Sequence, residues 1–236
     1  MVAGVTICAL ALMVVEGNEW NKARNSRPAQ ISTSKFTECK LKAIVPVNES
    51  TSIYNISGKL NETQPPFHVI LKDDSCQVGR QYSPTHVTGD DFLLIVKRYG
   101  GGHMSQMLSS LKPGDLVSVA GPIPSSADGY NKLKSGKLLL VAGGTGITAM
   151  YQIIKHELTR PNPPRIELVY GARTPEDLLL LGELSLLSRD LLRITCIVET
   201  PDMTWKGNVG RINASLLKSL QMDVTDTSAV ICGTDG

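Results

Sequence analysis

From residue 36 to about residue 124 the chain alternates short apolar runs with polar breaks. The runs are "CKLKAIVPV", "SIYNISGKL", "PFHVILK", "DFLLIVKRY" and "DLVSVAGP", separated by Asn, Gly, Asp and Pro. Short β-rich pieces at near-even spacing predict a small antiparallel barrel, interrupted only by "MSQMLSSL", which has the pattern of a helical turn or two. After the stretch "SSADGYNKLKSG" the grammar changes. "KLLLVAG", "RIELVYGA", "LRITCIVET" and "SAVICG" predict buried strands. Between them "ITAMYQIIKHEL", "PEDLLLLGELSLLSRD" and "INASLLKSL" predict helices, the first with Ile147, Met150, Tyr151, Ile154 and Leu158 on one face. Strands alternating with helices mean a parallel sheet covered on its faces. The pattern thus predicts a β plus α/β chain: a barrel over 36–124, a linker over 125–136 and a Rossmann-like domain over 137–236.

Ahead of the barrel, residues 1–15, "MVAGVTICALALMVV", form an uncharged apolar run, and residues 16–35 are polar and unpatterned. The run is short for a spanning helix and lacks the basic start of a signal peptide. With Lys22, Arg24 and Arg27 following it, it reads as a membrane anchor that leaves the rest on the cytosolic side, with a cleaved signal-like segment as the alternative, and 16–35 reads as a tether.

Charge and composition narrow the function classes. Over 236 residues the formal net charge is +2, with Lys and Arg scattered, which argues against a nucleic-acid protein. Cys8, Cys39, Cys76, Cys196 and Cys232 are widely spaced and suit free thiols in a reducing compartment. Sequons at Asn48, Asn55, Asn61 and Asn213 are taken as unused. His68, His86, His103 and His156 do not pair at metal spacing, so no metal is expected. Lys132, Lys134 and Lys137 form a small cluster, read as a solvated linker.

Two glycine-rich stretches carry the candidate chemistry. In "VAGGTGITAM" a strand runs through a tight turn into a helix, and Gly144, Gly146 and Ala149 match the dinucleotide fingerprint. One glycine makes the turn, the next admits a pyrophosphate, and the helix start supplies N–H donors beside Thr145 and Thr148. The acid that usually ends the second strand is absent, because "VYGAR" closes on Gly171, Ala172 and Arg173. The second stretch, "YGGGHMSQML", follows "RQYSPT" by about twenty residues and again leads a glycine loop into a helix. Arg80 offers a fork for phosphate, Tyr82 a flat face for a ring, and Ser83 and Thr85 small donors at its edge. Two cradles on two domains imply two cofactors meeting at a domain interface.

"RQYSPT", "IVKRYGGGHMSQML", "LKPGD", "VAGGTGIT", "EDLLLLGEL" and "CGTDG" occur in the order and at about the spacing of NADH-cytochrome b5 reductases, within the ferredoxin reductase-like superfamily, which the chain resembles from about residue 36 onward. The resemblance implies an FAD-binding barrel followed by a nicotinamide-nucleotide domain. It places Arg80 on the flavin pyrophosphate, Tyr82 against the isoalloxazine and Ser83 near its reactive nitrogen. Thr85, Lys97, Tyr99, Gly102, Met104 and Ser105 complete the flavin site. Gly144, Thr145, Gly146 and Thr148 take the phosphates of NADH, Cys232 and Gly233 flank the nicotinamide, and Glu199 reads the adenosine ribose and repels a 2′-phosphate. Ser83 and Cys232 are the expected catalytic pair.

The resemblance implies an enzyme that transfers hydride from NADH to FAD and single electrons onward to an acidic, cytochrome b5-like haem protein. It further implies a monomer on the cytosolic face of the endoplasmic reticulum or mitochondrial outer membrane. "CGTDG" stands where many members have a proline-rich stretch, and by βα unit size one more helix and strand are expected after Gly236. A second reading therefore stays open: an FAD-binding interaction module without efficient NADH turnover. A third uses NADPH, with Arg173 receiving the extra phosphate.

Overall fold

The computed structural model describes residues 28–73, 78–125, 136–187, 190–223 and 225–233. The apolar run 1–15, most of the tether, Lys132, Lys134, Cys8 and Cys76 lie outside the described residues. Among the described residues no helix is long and apolar enough to cross a membrane. The chain divides into two compact units, the first ending at Ser125.

In the first unit, strands β1 (Thr37–Asn48), β2 (Thr51–Ser57), β3 (Phe67–Lys72), β4 (Gly79–Tyr82), β5 (His86–Val87), β6 (Asp91–Lys97) and β7 (Leu116–Pro124) form one antiparallel sheet. Their order is β4-β3-β7-β1-β2-β6-β5. The two strands at opposite ends of that order, β4 and β5, are joined by Ser83, Pro84 and Thr85 alone. A link of that length spans only about 13 Å. The sheet must therefore roll until its edges meet, which makes it a barrel with a seam at "YSPTH". Alternate residues point inward: Phe67, Val69 and Leu71 on β3, Cys39 and Leu41 on β1, Val117 and Val119 on β7. Helix α1 (His103–Ser110) plugs this core with Met104 and Leu108 and stops ahead of Pro113.

The expected tether is corrected at its end. Ile31 is 0% exposed within the barrel core, and the chain there is held by Ile31 N to Lys59 O at 3.0 Å and Lys59 N to Ala29 O at 2.9 Å. One apolar residue in a polar stretch gives no periodicity, so pattern alone could not place it.

In the second unit β8 (Lys137–Gly143), β9 (Arg165–Ala172), β10 (Leu192–Val198), β11 (Asn208–Val209) and β12 (Thr227–Cys232) are all parallel, in the order β11-β10-β9-β8-β12. Helix α2 (Ile147–Leu158) links β8 to β9, α3 (Leu181–Leu187) links β9 to β10, and α4 (Ala214–Ser219) links β11 to β12. From β8 the chain steps outward through β9, β10 and β11, then returns to the other side of β8. The order reverses between β8 and β12, and the crevice beyond their carboxyl ends is where open α/β sheets bind ligands.

The second helix is shorter than the pattern predicts. After a 3-10 turn over Pro175–Asp177, Leu178, Leu179 and Leu180 are all buried and Leu180 takes a φ of 59°. The cause is Tyr170, wholly buried in β9. Its hydroxyl donates to Asp177 O at 3.2 Å and accepts from Leu179 N at 2.9 Å. A leucine run with no polar face enters the core, and Tyr170 supplies the partners that a helical ladder would otherwise give.

Candidate functional site

At the barrel seam, β4 carries Arg80 and Tyr82, and Ser83 and Thr85 lie in the link to β5. Tyr82 is half-buried, and burial pushes its phenol up to about 12, opposed by Arg80 and reinforced by Tyr54 and Tyr99. Arg80 is exposed, and among the described residues its guanidinium donates to Gly79 O alone, at 2.9 Å, which leaves other donors of its fork for an anion. Ser83 is half-buried. Thr85 is buried, and its hydroxyl bonds Leu93 O at 3.4 Å and lies 3.3 Å from His86 Nδ1, so it supports the seam from inside.

The glycine loop that follows β6 is pinned by Ser105. Its buried hydroxyl donates to Gly102 O at 2.9 Å and accepts from Tyr99 N at 3.1 Å. A methyl at Gly102 would stand 2.7 Å from that oxygen, which is why the loop needs glycine there. Gln106 adds a hydrogen bond to Gly100 O. Met104 has its side chain in the core, and Lys97 ends β6 at the start of this loop. His103 pairs its Nε2 with the buried carboxylate of Asp73 at 3.0 Å. Helix α1 begins at Gly102 without a side-chain cap, so its first N–H groups have no partner from a capping side chain. Uncapped donors after β6, an exposed guanidinium on β4 and the half-buried ring of Tyr82 fit a dinucleotide with a ring system, as FAD has.

In the second unit, Gly144, Thr145 and Gly146 form a 3-10 turn between β8 and α2, and α2 also starts without a side-chain cap. The two glycines serve different ends. Gly144 has a φ of 53° with open space where a side chain would point. Gly146 is right-handed, but a methyl there would collide with the carbonyl of Cys232. The turn is thus packed onto the end of β12, and Gly143 and Gly233 also approach closely. Thr145 is half-buried, whereas Thr148 is buried and donates to Thr145 O at 3.0 Å, stabilising the turn. Cys232 is half-buried and burial raises its thiol pKa, so the sulfur stays protonated at neutral pH. This donor set at a topological switch point fits the pyrophosphate of a nicotinamide dinucleotide.

Along the same carboxyl edge, Arg173 follows β9, Glu199 follows β10 and Arg211 comes shortly after β11. Glu199 N donates to Ala172 O at 3.1 Å and Thr200 N to Arg173 O at 2.8 Å, which keeps these loops side by side. Glu199 is paired with Arg211, Nε to Oε1 at 3.1 Å, a partner the sequence reading missed because it depends on β11 lying beside β10. Among the described residues no group of three or more His, Cys, Asp or Glu side chains could hold a metal ion.

Comparison with known proteins agrees with this division of labour. Residues 38–126 match the oxidoreductase FAD-binding domain and residues 140–236 the oxidoreductase NAD-binding domain. The chain is 38% identical over 167 residues to NADH-cytochrome b5 reductase 2 of Scheffersomyces stipitis, covering 66% of this chain and 54% of that protein. It is 31% identical over 234 residues to NADH-cytochrome b5 reductase 2 of Candida albicans, covering 94% of this chain and 72% of that protein. Against several of its curated relatives the matched part spans about half of their length. The solved cytochrome b5 reductase domain of Ulva prolifera nitrate reductase superposes with a TM-score of 0.73 at 27% identity, over 86% of this chain and 89% of that one. A barrel with a flavin-type cradle, a parallel sheet with a nucleotide turn at its switch point and this kinship together place the chain in the NADH-cytochrome b5 reductase family of ferredoxin reductase-like flavoproteins.

Proposed function

We propose that the chain is a flavoenzyme that takes hydride from NADH and passes electrons one at a time to an acidic haem protein such as cytochrome b5. The observation that carries this reading is the pair of helices that start from glycine without a side-chain cap, one at the barrel seam and one at the switch point of the parallel sheet. Bound FAD supplies an acceptor for hydride and a donor of single electrons. The chain's own groups bind and orient. Arg80 and the first N–H groups of α1 neutralise the flavin pyrophosphate, and a charge-assisted bond of this kind contributes about 1.5–3 kcal/mol. Tyr82 and Tyr99 cover the ring system, and Ser83 and Lys97 supply polar contacts at its edge. Gly144 to Gly146 and the start of α2 take the phosphates of NADH. Cys232 keeps its proton at Sγ and offers an uncharged contact beside the nicotinamide, with Gly233 leaving room for it.

The apolar run 1–15, followed by Lys22, Arg24 and Arg27, supports attachment to the cytosolic face of the endoplasmic reticulum or mitochondrial outer membrane. The scattered cations of a net +2 chain suit a monomer that meets an acidic partner transiently. The test is anaerobic. The purified yellow protein should bleach on addition of NADH and recover its colour when oxidised cytochrome b5 is added, with the haem reduced in step. A flavin that stays oxidised under NADH would reject the enzyme reading in favour of a binding module.

A further inference from the structure

The carboxyl edge of the parallel sheet brings one acid and two bases together. Val198 and Ala172 are in register at the ends of β10 and β9, and Gly210 N donates to Val198 O at 2.8 Å. The loops that carry Arg173, Glu199 and Arg211 therefore lie side by side at this edge. A carboxylate bridges both hydroxyls of a ribose best with both oxygens uncommitted. Here Oε1 of Glu199 is engaged by Arg211 at 3.1 Å. The trio carries one negative and two positive charges, a balance that suits a phosphate better than a diol. The side chains of Arg211 and Glu199 are 65% and 43% exposed, so a ligand can reach both. Arg211 meets the carboxylate through Nε, which lets its Nη groups face that ligand while the pair stays made.

We propose that Arg211 is a specificity-determining residue that neutralises Glu199, so that the site admits an adenosine ribose bearing a 2′-phosphate as well as the free diol. The nicotinamide donor class then includes NADPH alongside NADH. With a diol bound, Glu199 accepts from it through its remaining oxygen. With a 2′-phosphate bound, Arg211 and Arg173 supply the donors, and Glu199 no longer repels it with a full charge. This rests on the dinucleotide site proposed above.

The experiment titrates the full flavin-loaded chain by calorimetry with 5′-ADP and with 2′,5′-ADP at low ionic strength, in the wild type and in Arg211→Gln and Arg211→Lys. The wild type is expected to bind 2′,5′-ADP at least as tightly as 5′-ADP. Arg211→Gln should weaken 2′,5′-ADP by roughly tenfold or more while 5′-ADP changes by less than about threefold, and Arg211→Lys should recover part of the loss. Retained 5′-ADP binding shows that the variant is folded. Equal weakening of both nucleotides, or no weakening of either, would overturn the role of Arg211. Failure of the wild type to bind either nucleotide would overturn the dinucleotide site itself, and this inference with it.

Discussion

Among the described residues, Arg80 bonds nothing beyond the carbonyl of the residue before it. Its removal should therefore leave the fold intact and take away ligand. Arg80→Ala is expected to purify with at least about tenfold weaker flavin retention, the loss of one charge-assisted bond, while its apo form melts within a few degrees of the wild-type apo form. Flavin absorbance per protein and a melting scan measure the two parts separately. Ser105 is the opposite case. Sequence reading placed it on the flavin, yet its hydroxyl is already committed to Gly102 and Tyr99. An exposed cation such as Arg80 keeps in the structure the character its type has in the sequence, whereas the partners that the fold gives Ser105, Thr85, His103 and Glu199 could not be read there.

At the scale of elements, the nucleotide turn depends on two glycines for unrelated reasons, and substitutions separate them. Gly144→Ala forces a left-handed backbone on a residue with a side chain and should cost about 1–2 kcal/mol without blocking the site. Gly146→Ala meets the backbone of Cys232, which cannot swing aside as a flexible side chain could. It should cost about 1–3 kcal/mol as overpacking and also displace the turn, abolishing NADH binding. Urea unfolding and nucleotide titration distinguish the two variants. The long elements were readable from pattern: β8, β9, α2 and β10 each carry enough apolar positions to fix their type. β5 and β11, with two residues each, are too short to show a period, and they exist because a neighbour offers an edge. The break after Asp177 needed Tyr170, whose hydroxyl reaches it only once β9 is folded. The barrel seam likewise depends on strand order, although the motif that occupies it was visible from the start.

For the whole molecule, the buried acids of both units lean the same way with pH. Burial raises the thiols of Cys39, in the first unit, and Cys196, in the second, from 9.0 to about 11, and the phenol of Tyr82 from 10.0 to about 12. Between the lower and upper values the unfolded chain has released these protons and the folded chain keeps them. The folded state then binds more protons, and stability must fall as pH rises. From these groups, stability is fully present below pH 9 and is lost progressively from pH 9 towards 12. Urea midpoints measured from pH 8 to 11 should show a decline that begins near 9, and thiol alkylation at pH 8 should be slow at Cys39 and Cys196 until the protein is unfolded. The close packing of Gly146 against Cys232 bears on how the protein is made. A ribosome adds residues at about 5–20 per second, so the turn is synthesised roughly five to fifteen seconds before the strand it rests on. Through that interval the barrel can already fold, while the nucleotide turn lacks its floor. A nascent chain thus gains its barrel cradle well before its nucleotide turn is complete, and protein interrupted late in translation would carry the first without the second.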